Sequence, residues 1–351
     1  MALPLLIVLI QLSSSQICRT LSLEGGGSLG AYEAGAIWGL VNISNPEDVM
    51  WNVVSGISAG SLNSLGVLQF PMGQEVAMSN NLINLWLSIN GSSNVFKEWP
   101  GGYIQGLLFE RGLLNTDPLV ETLTADFKYG INRNVTIGST NLDTGMFGNF
   151  NESVGGAIVD AVLCSASPPF FFPPRIFEGY TWADGGCIIN QDVFSGIERC
   201  LQITNEDNVV VDMIFDFGGQ PLPIETKFKT FEVFSRIRQI ISYDETTWWA
   251  YNAAIAYPKA YFRYTIYPSE PMPGGLLPLN FTKANLESEI QLGINDTKKL
   301  AGIKIDSRNV IEDLYRENLR LLDFIFKKKY WIIELFLIDF HSKNYNIFYY
   351  F

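Results

Sequence analysis

Short apolar runs alternate with stretches of helical period along most of the chain, and their order sets the fold class. Ile17 to Leu23 predicts a strand, glycines follow, and a helical stretch runs from about Ser28 to Val41 with small residues Ala31, Ala34 and Gly35 that permit close packing. Strand, glycine turn and helix form the opening of an α/β domain. Val49 to Ser55 repeats these events, with a sharp turn at Ser58 and a helix closed by Phe70-Pro71. Helices are predicted at Gln74 to Ile89 and at Pro118 to Phe127, the second capped by Asp117 with Pro118 at its first position. Strand-like runs return at Asn134 to Asn141, Arg175 to Ala183, Asn208 to Phe215 and Ala260 to Tyr267. Helical stretches separate them near Gly155 to Ala166, Val193 to Gln202 and Phe231 to Ala256, and two more follow at Thr282 to Leu300 and Asp306 to Phe326. The alternation predicts an α/β fold: a mainly parallel central sheet with helices on both faces.

Three segments depart from the pattern. Asn90 to Asn115 is rich in Gly and aromatics with little periodicity, which suits a lid or a plain surface loop. The apolar run from Met1 to Leu12, followed by Ser13-Ser14-Ser15, is too short to span a bilayer and suits the apolar region of a signal peptide, although no Lys or Arg precedes it. Its alternative is a buried first strand. Lys327 to Phe351 has an apolar piece, Trp331 to Phe340, interrupted by Glu334 and Asp339, and does not read as a membrane span. The expected organisation is a signal peptide over 1–15, one domain over 16–326 and a tail over 327–351.

Charge narrows the partners. A formal net charge of -12 offers no basic stripe for phosphates and excludes nucleic acid; any peripheral membrane contact would have to be apolar. Four cysteines, Cys18, Cys164, Cys187 and Cys200, show no metal-ligand spacing. Asn42, Asn90, Asn134, Asn151, Asn280 and Asn295 each open an N-glycosylation triplet, which fits a secreted or lumenal protein.

The chemistry is concentrated in three places. Gly56-Ile57-Ser58-Ala59-Gly60 has the G-x-S-x-G spacing of a nucleophile elbow, in which the turn is too tight for side chains two residues either side of the Ser. Its plainer reading is a strand-to-helix turn or a phosphate-binding turn. Gly25-Gly26-Gly27-Ser28-Leu29-Gly30 supplies backbone N–H donors for an oxyanion, and its G-x-G-x-x-G spacing also admits a dinucleotide loop. Against that rival, Glu47 and Asp48 precede the second strand, where a ribose-binding acid would end it. A Ser nucleophile needs a base. The single histidine, His341, lies in the tail, so a Ser-His-Asp triad has little support, and Asp184 in Trp182-Ala183-Asp184-Gly185-Gly186 is the candidate carboxylate. Asp143 and Asp160 compete with it, and Asp-Gly is also a common turn. Neither a cofactor nor a metal is called for.

The glycine loop, the serine elbow and Asp184-Gly185-Gly186, in that order over Leu21 to about Asn190, together resemble the patatin-like phospholipase family. Gly30 to Gly35, Ser139 to Gly145 and Cys164 to Phe170 fit it as well. The resemblance implies a Ser58–Asp184 dyad, an oxyanion hole around Gly25, Gly26, Gly27 and Gly30, and a phospholipid, lysophospholipid or other acyl ester as substrate. One position departs: Leu29 stands where many members carry Arg or Lys, which puts phospholipid preference in question. Phe170-Phe171-Phe172-Pro173-Pro174 is a candidate acyl groove and equally a candidate core segment. A non-catalytic lipid-binding or storage protein on the same scaffold is the alternative from another class.

Overall fold

The computed structural model describes residues 16–217, 230–272, 278–302 and 306–316. The leader, the tail with His341 and residues 317–326 of the last expected helix lie outside the described residues, while 308–316 are helical. The strands are β1 (Cys18–Leu23), β2 (Val53–Ile57), β3 (Asn134–Asn141), β4 (Phe147–Asn151), β5 (Arg175–Phe177), β6 (Tyr180–Asp184), β7 (Val209–Ile214) and β8 (Tyr261–Ile266). The helices are α1 (Gly30–Ile43), α2 (Ala59–Leu68), α3 (Glu75–Ser88), α4 (Gly102–Phe109), α5 (Asp117–Asp126), α6 (Ile158–Ser165), α7 (Val193–Leu201), α8 (Thr230–Ala256) and α9 (Lys283–Lys298).

One sheet in the order β5-β6-β3-β2-β1-β7-β8 carries the domain, with β4 on β3. β3, β2, β1, β7 and β8 pair in parallel, while the β3–β4, β3–β6 and β5–β6 pairs are antiparallel. The mainly parallel sheet expected from alternation is present. Its central strands β1 and β2 are covered on both faces, and almost every residue in them is buried, the polar Thr20, Ser22 and Ser55 included. One face packs Leu21, Leu23 and Val54 among side chains of α1, α2 and α3; the other packs Cys18, Val53 and Val211 against Val193 and Ile197 of α7 and Ala250 and Ala253 of α8. A disulfide between Cys18 and Cys200 ties the start of β1 to the end of α7. Cys164 is a buried thiol in α6, pushed up to about 12 by burial.

Four local expectations change. Arg175 to Ala183 is a hairpin, not one strand: Glu178 and Gly179 both take positive φ and reverse the chain between β5 and β6. β4 was not anticipated, because Gly148, Asn149 and Asn151 mask a strand in Phe147 to Asn151. The 90–115 segment contains α4. Asp117 lies inside α5, whose N-cap is Thr116; Asn115 Oδ1 accepts the Asp117 N–H at 2.8 Å.

Candidate active site

β2 delivers Ser58. The strand ends at Ile57, α2 begins at Ala59, and Ser58 alone makes the turn with φ 51° and ψ -117°. A non-glycine residue in this region is strained and persists where its surroundings over-determine it. Those surroundings are visible. The Ser58 N–H donates to Ser165 Oγ at 2.9 Å, and Ser165 Oγ donates to the Gly138 carbonyl at 2.6 Å. A methyl on Gly56 would overlap the Gly60 carbonyl, and one on Gly60 would lie 2.5 Å from the Leu23 carbonyl, which is why both positions are glycine.

The register of β3 brings Asp184 to the same place. β2 and β4 flank β3 on opposite edges over Thr136 to Gly138, with Ile57 opposite Gly138. At Ser139 the partner opposite β4 is no longer β2 but Asp184 of β6. β6 therefore continues the edge that β2 leaves at Ser58. Asp184 is buried; its N–H donates to the Ser167 carbonyl at 3.0 Å, and its Oδ1 accepts the Gly186 N–H at 2.9 Å. Gly185 is pressed so closely on the Gly138 carbonyl and Ile57 that a side chain would not fit.

The glycine loop completes the group. Gly25 donates its N–H to the Asn190 carbonyl at 3.0 Å, Ser28 to Pro278 at 2.6 Å, Leu29 to Gly26 at 3.1 Å, and Gly30 to Gly27 and Ser28. Gly25 and Gly30 thus use their N–H groups to build the loop expected to form an oxyanion hole around Gly25, Gly26, Gly27 and Gly30. Gly26 and Gly27 donate to no described residue. Gly25 serves by its size, since a methyl there would lie 2.5 Å from Asn190 Oδ1 and 3.1 Å from Ser58 Cβ.

Gly25, Gly26, Gly27, Ser58 and Asp184 line one cleft of about 720 Å³, open solvent at its mouth included, together with Pro168, Phe171, Asn190, Gln239 and Ser242. An apolar cavity adjoins it, about 620 Å³ with open solvent at its mouth again included, sharing Gly27, Ser58, Pro168 and Leu279 and lined by Leu62, Trp86, Val95, Leu119, Phe172 and Phe281. The Phe-Phe-Phe run divides between roles: Phe171 faces the cleft, Phe172 the cavity, and Phe170 is exposed. Asp143 and Asp160 are exposed and line neither space, and Asp143 accepts the Thr181 N–H at 2.6 Å. No imidazole lies in the cleft among the described residues, His341 being the only histidine.

Residues 21–194 match the sequence model described as patatin-like phospholipase. Over this stretch the chain belongs to the patatin-like phospholipase family. No curated protein matches the chain. Among solved structures, VipD from Legionella pneumophila is similar over 82% of this chain and 67% of its own, at 13% identity and a TM-score of 0.38. At the family level, patatin-like phospholipases are lipid acyl hydrolases acting on lipid esters.

Four buried carboxyls back the glycine loop of this patatin-like domain, and sequence reasoning missed all of them. Glu24 ends β1 and accepts four hydrogen bonds: from Asn190 Nδ2 (2.9 Å) and Thr246 Oγ1 (2.6 Å) on Oε1, and from the Asp216 and Phe217 N–H groups (2.6 and 3.1 Å) on Oε2. Its carbonyl receives the Gly60 N–H at 3.0 Å, so Glu24 joins loop and elbow. Glu33 of α1 accepts the Glu24 N–H at 2.7 Å and Asn63 Nδ2 at 2.8 Å. Asp216 lies against Gly26 with both oxygens buried and without a hydrogen-bond partner among the described residues, and Glu289 of α9 has one such oxygen. Burial raises all four from the ordinary carboxylate range, Glu24 to about 7, Glu289 to about 8, Glu33 and Asp216 well above. Neighbouring negative charge raises Asp216 further. Glu24, with four donors, is the one fitted to hold a charge. The only sequence signal was a Glu at the end of an apolar strand, and nothing there foretold its partners.

Proposed function

We propose that the protein is a lipid acyl hydrolase of the phospholipase A or lysophospholipase type, with Ser58 as nucleophile and Asp184 as its base. The observation that carries this is the strained Ser58 turn, held on the same β3 edge as Asp184 and facing an apolar cavity beside the Gly26 and Gly27 N–H groups, which donate to no described residue. Ser58 Oγ attacks the ester carbonyl carbon while its proton passes to Asp184. The carbonyl oxygen becomes an oxyanion held by the Gly26 and Gly27 N–H groups, the alcohol leaves with the proton, and water attacks the acyl-enzyme by the same route. Asp216 behind Gly26 would oppose that oxyanion if charged; burial and neighbouring negative charge both raise its pKa and so favour its neutral form. Reaction with a fluorophosphonate tests the reading: the adduct is expected on Ser58, and its absence from Ser58 overturns it.

The cavity is the proposed acyl site. Leu62 is half-buried on α2 and lines it, so Leu62→Trp fills it with little disturbance of the core. The expected result is a kcat/KM for a dodecanoyl ester at least about tenfold lower, with a butanoyl ester changed less than about threefold. Equal losses on both would place the acyl chain elsewhere.

We also propose a secretory location. The Cys18–Cys200 disulfide suits an oxidising compartment, and Asn42, Asn90, Asn280 and Asn295 are exposed acceptors. Protein from its native source is expected to begin between Ser13 and Ile17 and to lose mass on N-glycan removal; an intact Met1 without glycan contradicts this.

A further inference from the structure

α4 presents its apolar face outward. Gly102 to Phe109 contains no charged residue. Tyr103, Ile104, Leu107 and Leu108 fall on one side of the helix and are exposed by 54%, 71%, 61% and 65%; Phe109, at its end, by 78%. The inner side is Gly106, which lets the helix lie directly on the Leu113 backbone. A surface helix of a water-soluble domain has the opposite arrangement, and a contiguous apolar patch of this kind marks an interaction surface.

The patch continues to the mouth of the cleft. Leu113, under α4, donates its N–H to the Phe170 carbonyl at 2.9 Å, and Leu114 donates to Phe171 at 2.9 Å. Phe171 lines the cleft and Phe172 the acyl cavity. Phe170 itself is held at φ 76°, 46% exposed, with its ring against Phe171. An apolar surface joined to an acyl-binding space fits the hydrocarbon margin of a lipid layer, because an acyl chain could then pass into the cleft without crossing water. The net charge of -12 opposes an anionic layer and leaves a zwitterionic one.

We propose that α4, with Phe170 beside it, is the surface by which this protein settles on a zwitterionic lipid bilayer. The proposal rests on the acyl-hydrolase reading for its occupant. The test is flotation with phosphatidylcholine vesicles, comparing Ser58→Ala protein with the same protein carrying Ile104→Ser, Leu107→Ser and Leu108→Ser, so that binding is read without turnover. The expected result is vesicle partition at least about tenfold weaker in the triple variant. With Ser58 intact, hydrolysis of vesicle lipid falls in parallel while hydrolysis of a soluble butanoyl ester stays within about twofold. A single Leu108→Lys variant, expected to act in the same direction, serves if the triple variant does not fold. Equal vesicle binding by parent and variants, or no binding by the parent, overturns the proposal. So does a parent dimer made monomeric by the substitutions with vesicle binding retained, which assigns the face to a second copy. Failure of the hydrolase reading is separately visible, as a parent that binds vesicles but cleaves neither substrate.

Discussion

Ser58→Ala is expected to lower hydrolysis of a soluble butanoyl ester by at least about a thousandfold, equivalent to about 4 kcal/mol of barrier. In the proposed mechanism the hydroxyl oxygen forms the new bond, whereas the turn is held by groups the substitution leaves in place: the Ser58 N–H on Ser165 Oγ, and the Gly60 N–H on Glu24. The melting temperature should therefore move by no more than about 2 °C. Asp184→Asn should be comparably damaging. Asn keeps an oxygen for the Gly186 N–H, now at 2.9 Å from the carboxylate, so the β6 terminus keeps its shape while the proton acceptor is lost. His341→Ala should change turnover less than about twofold, because the proposed base is a carboxylate. A Ser58→Ala rate within about tenfold of the parent removes Ser58 from the mechanism. A damaging His341 change with a tolerated Asp184 change restores the triad.

The parts legible in the sequence are those fixed by local rules. β1, β2 and β7 are short, largely buried strands since each is covered on both faces, and the serine elbow is legible because Gly56 and Gly60 are demanded by contacts within a few residues or with the adjoining strand. What escaped depends on partners far along the chain. β4 is glycine- and asparagine-rich and becomes a strand only because β3 offers it an edge. α4 escaped because a helix with its apolar side in solvent gives no inward-facing period. Among the loop glycines, Gly25 and Gly30 look like Gly26 and Gly27 until Asn190 and the turn at Gly27–Leu29 take their N–H groups. The carboxyl cluster is assembled from Glu24, Glu33, Asp216 and Glu289, and no spacing rule connects residues so far apart.

That cluster gives stability an unusual pH dependence. A carboxyl whose pKa is raised on folding contributes stability that is fully present below its unfolded value and is lost as pH rises through its folded value. For Glu24 and Glu289 the ordinary value is 4.5 and the folded values are about 7 and about 8, so the loss begins near pH 4.5 and is complete just above pH 7 for Glu24 and just above pH 8 for Glu289. For Glu289, 3.5 units at 1.36 kcal/mol each sets an upper value of about 5 kcal/mol. Glu289→Gln keeps the shape, and the Gln oxygen can accept Asn285 Nδ2 as Oε1 does at 2.8 Å. Glu24 is the poorer site for this substitution, since all four of its partners are donors and an amide would set N–H against N–H. Urea unfolding is expected to show the Glu289→Gln protein within about 1 kcal/mol of the parent at pH 5 and more stable by about 3 kcal/mol at pH 9. Removing that charge also relieves Asp216, which negative charge on Glu289 pushes up. Other titrating groups are common to both proteins and cancel in the difference. Parallel stability curves from pH 5 to 9 would show that Glu289 does not change its protonation in this window and that the bare Glu289 oxygen is satisfied in some other way.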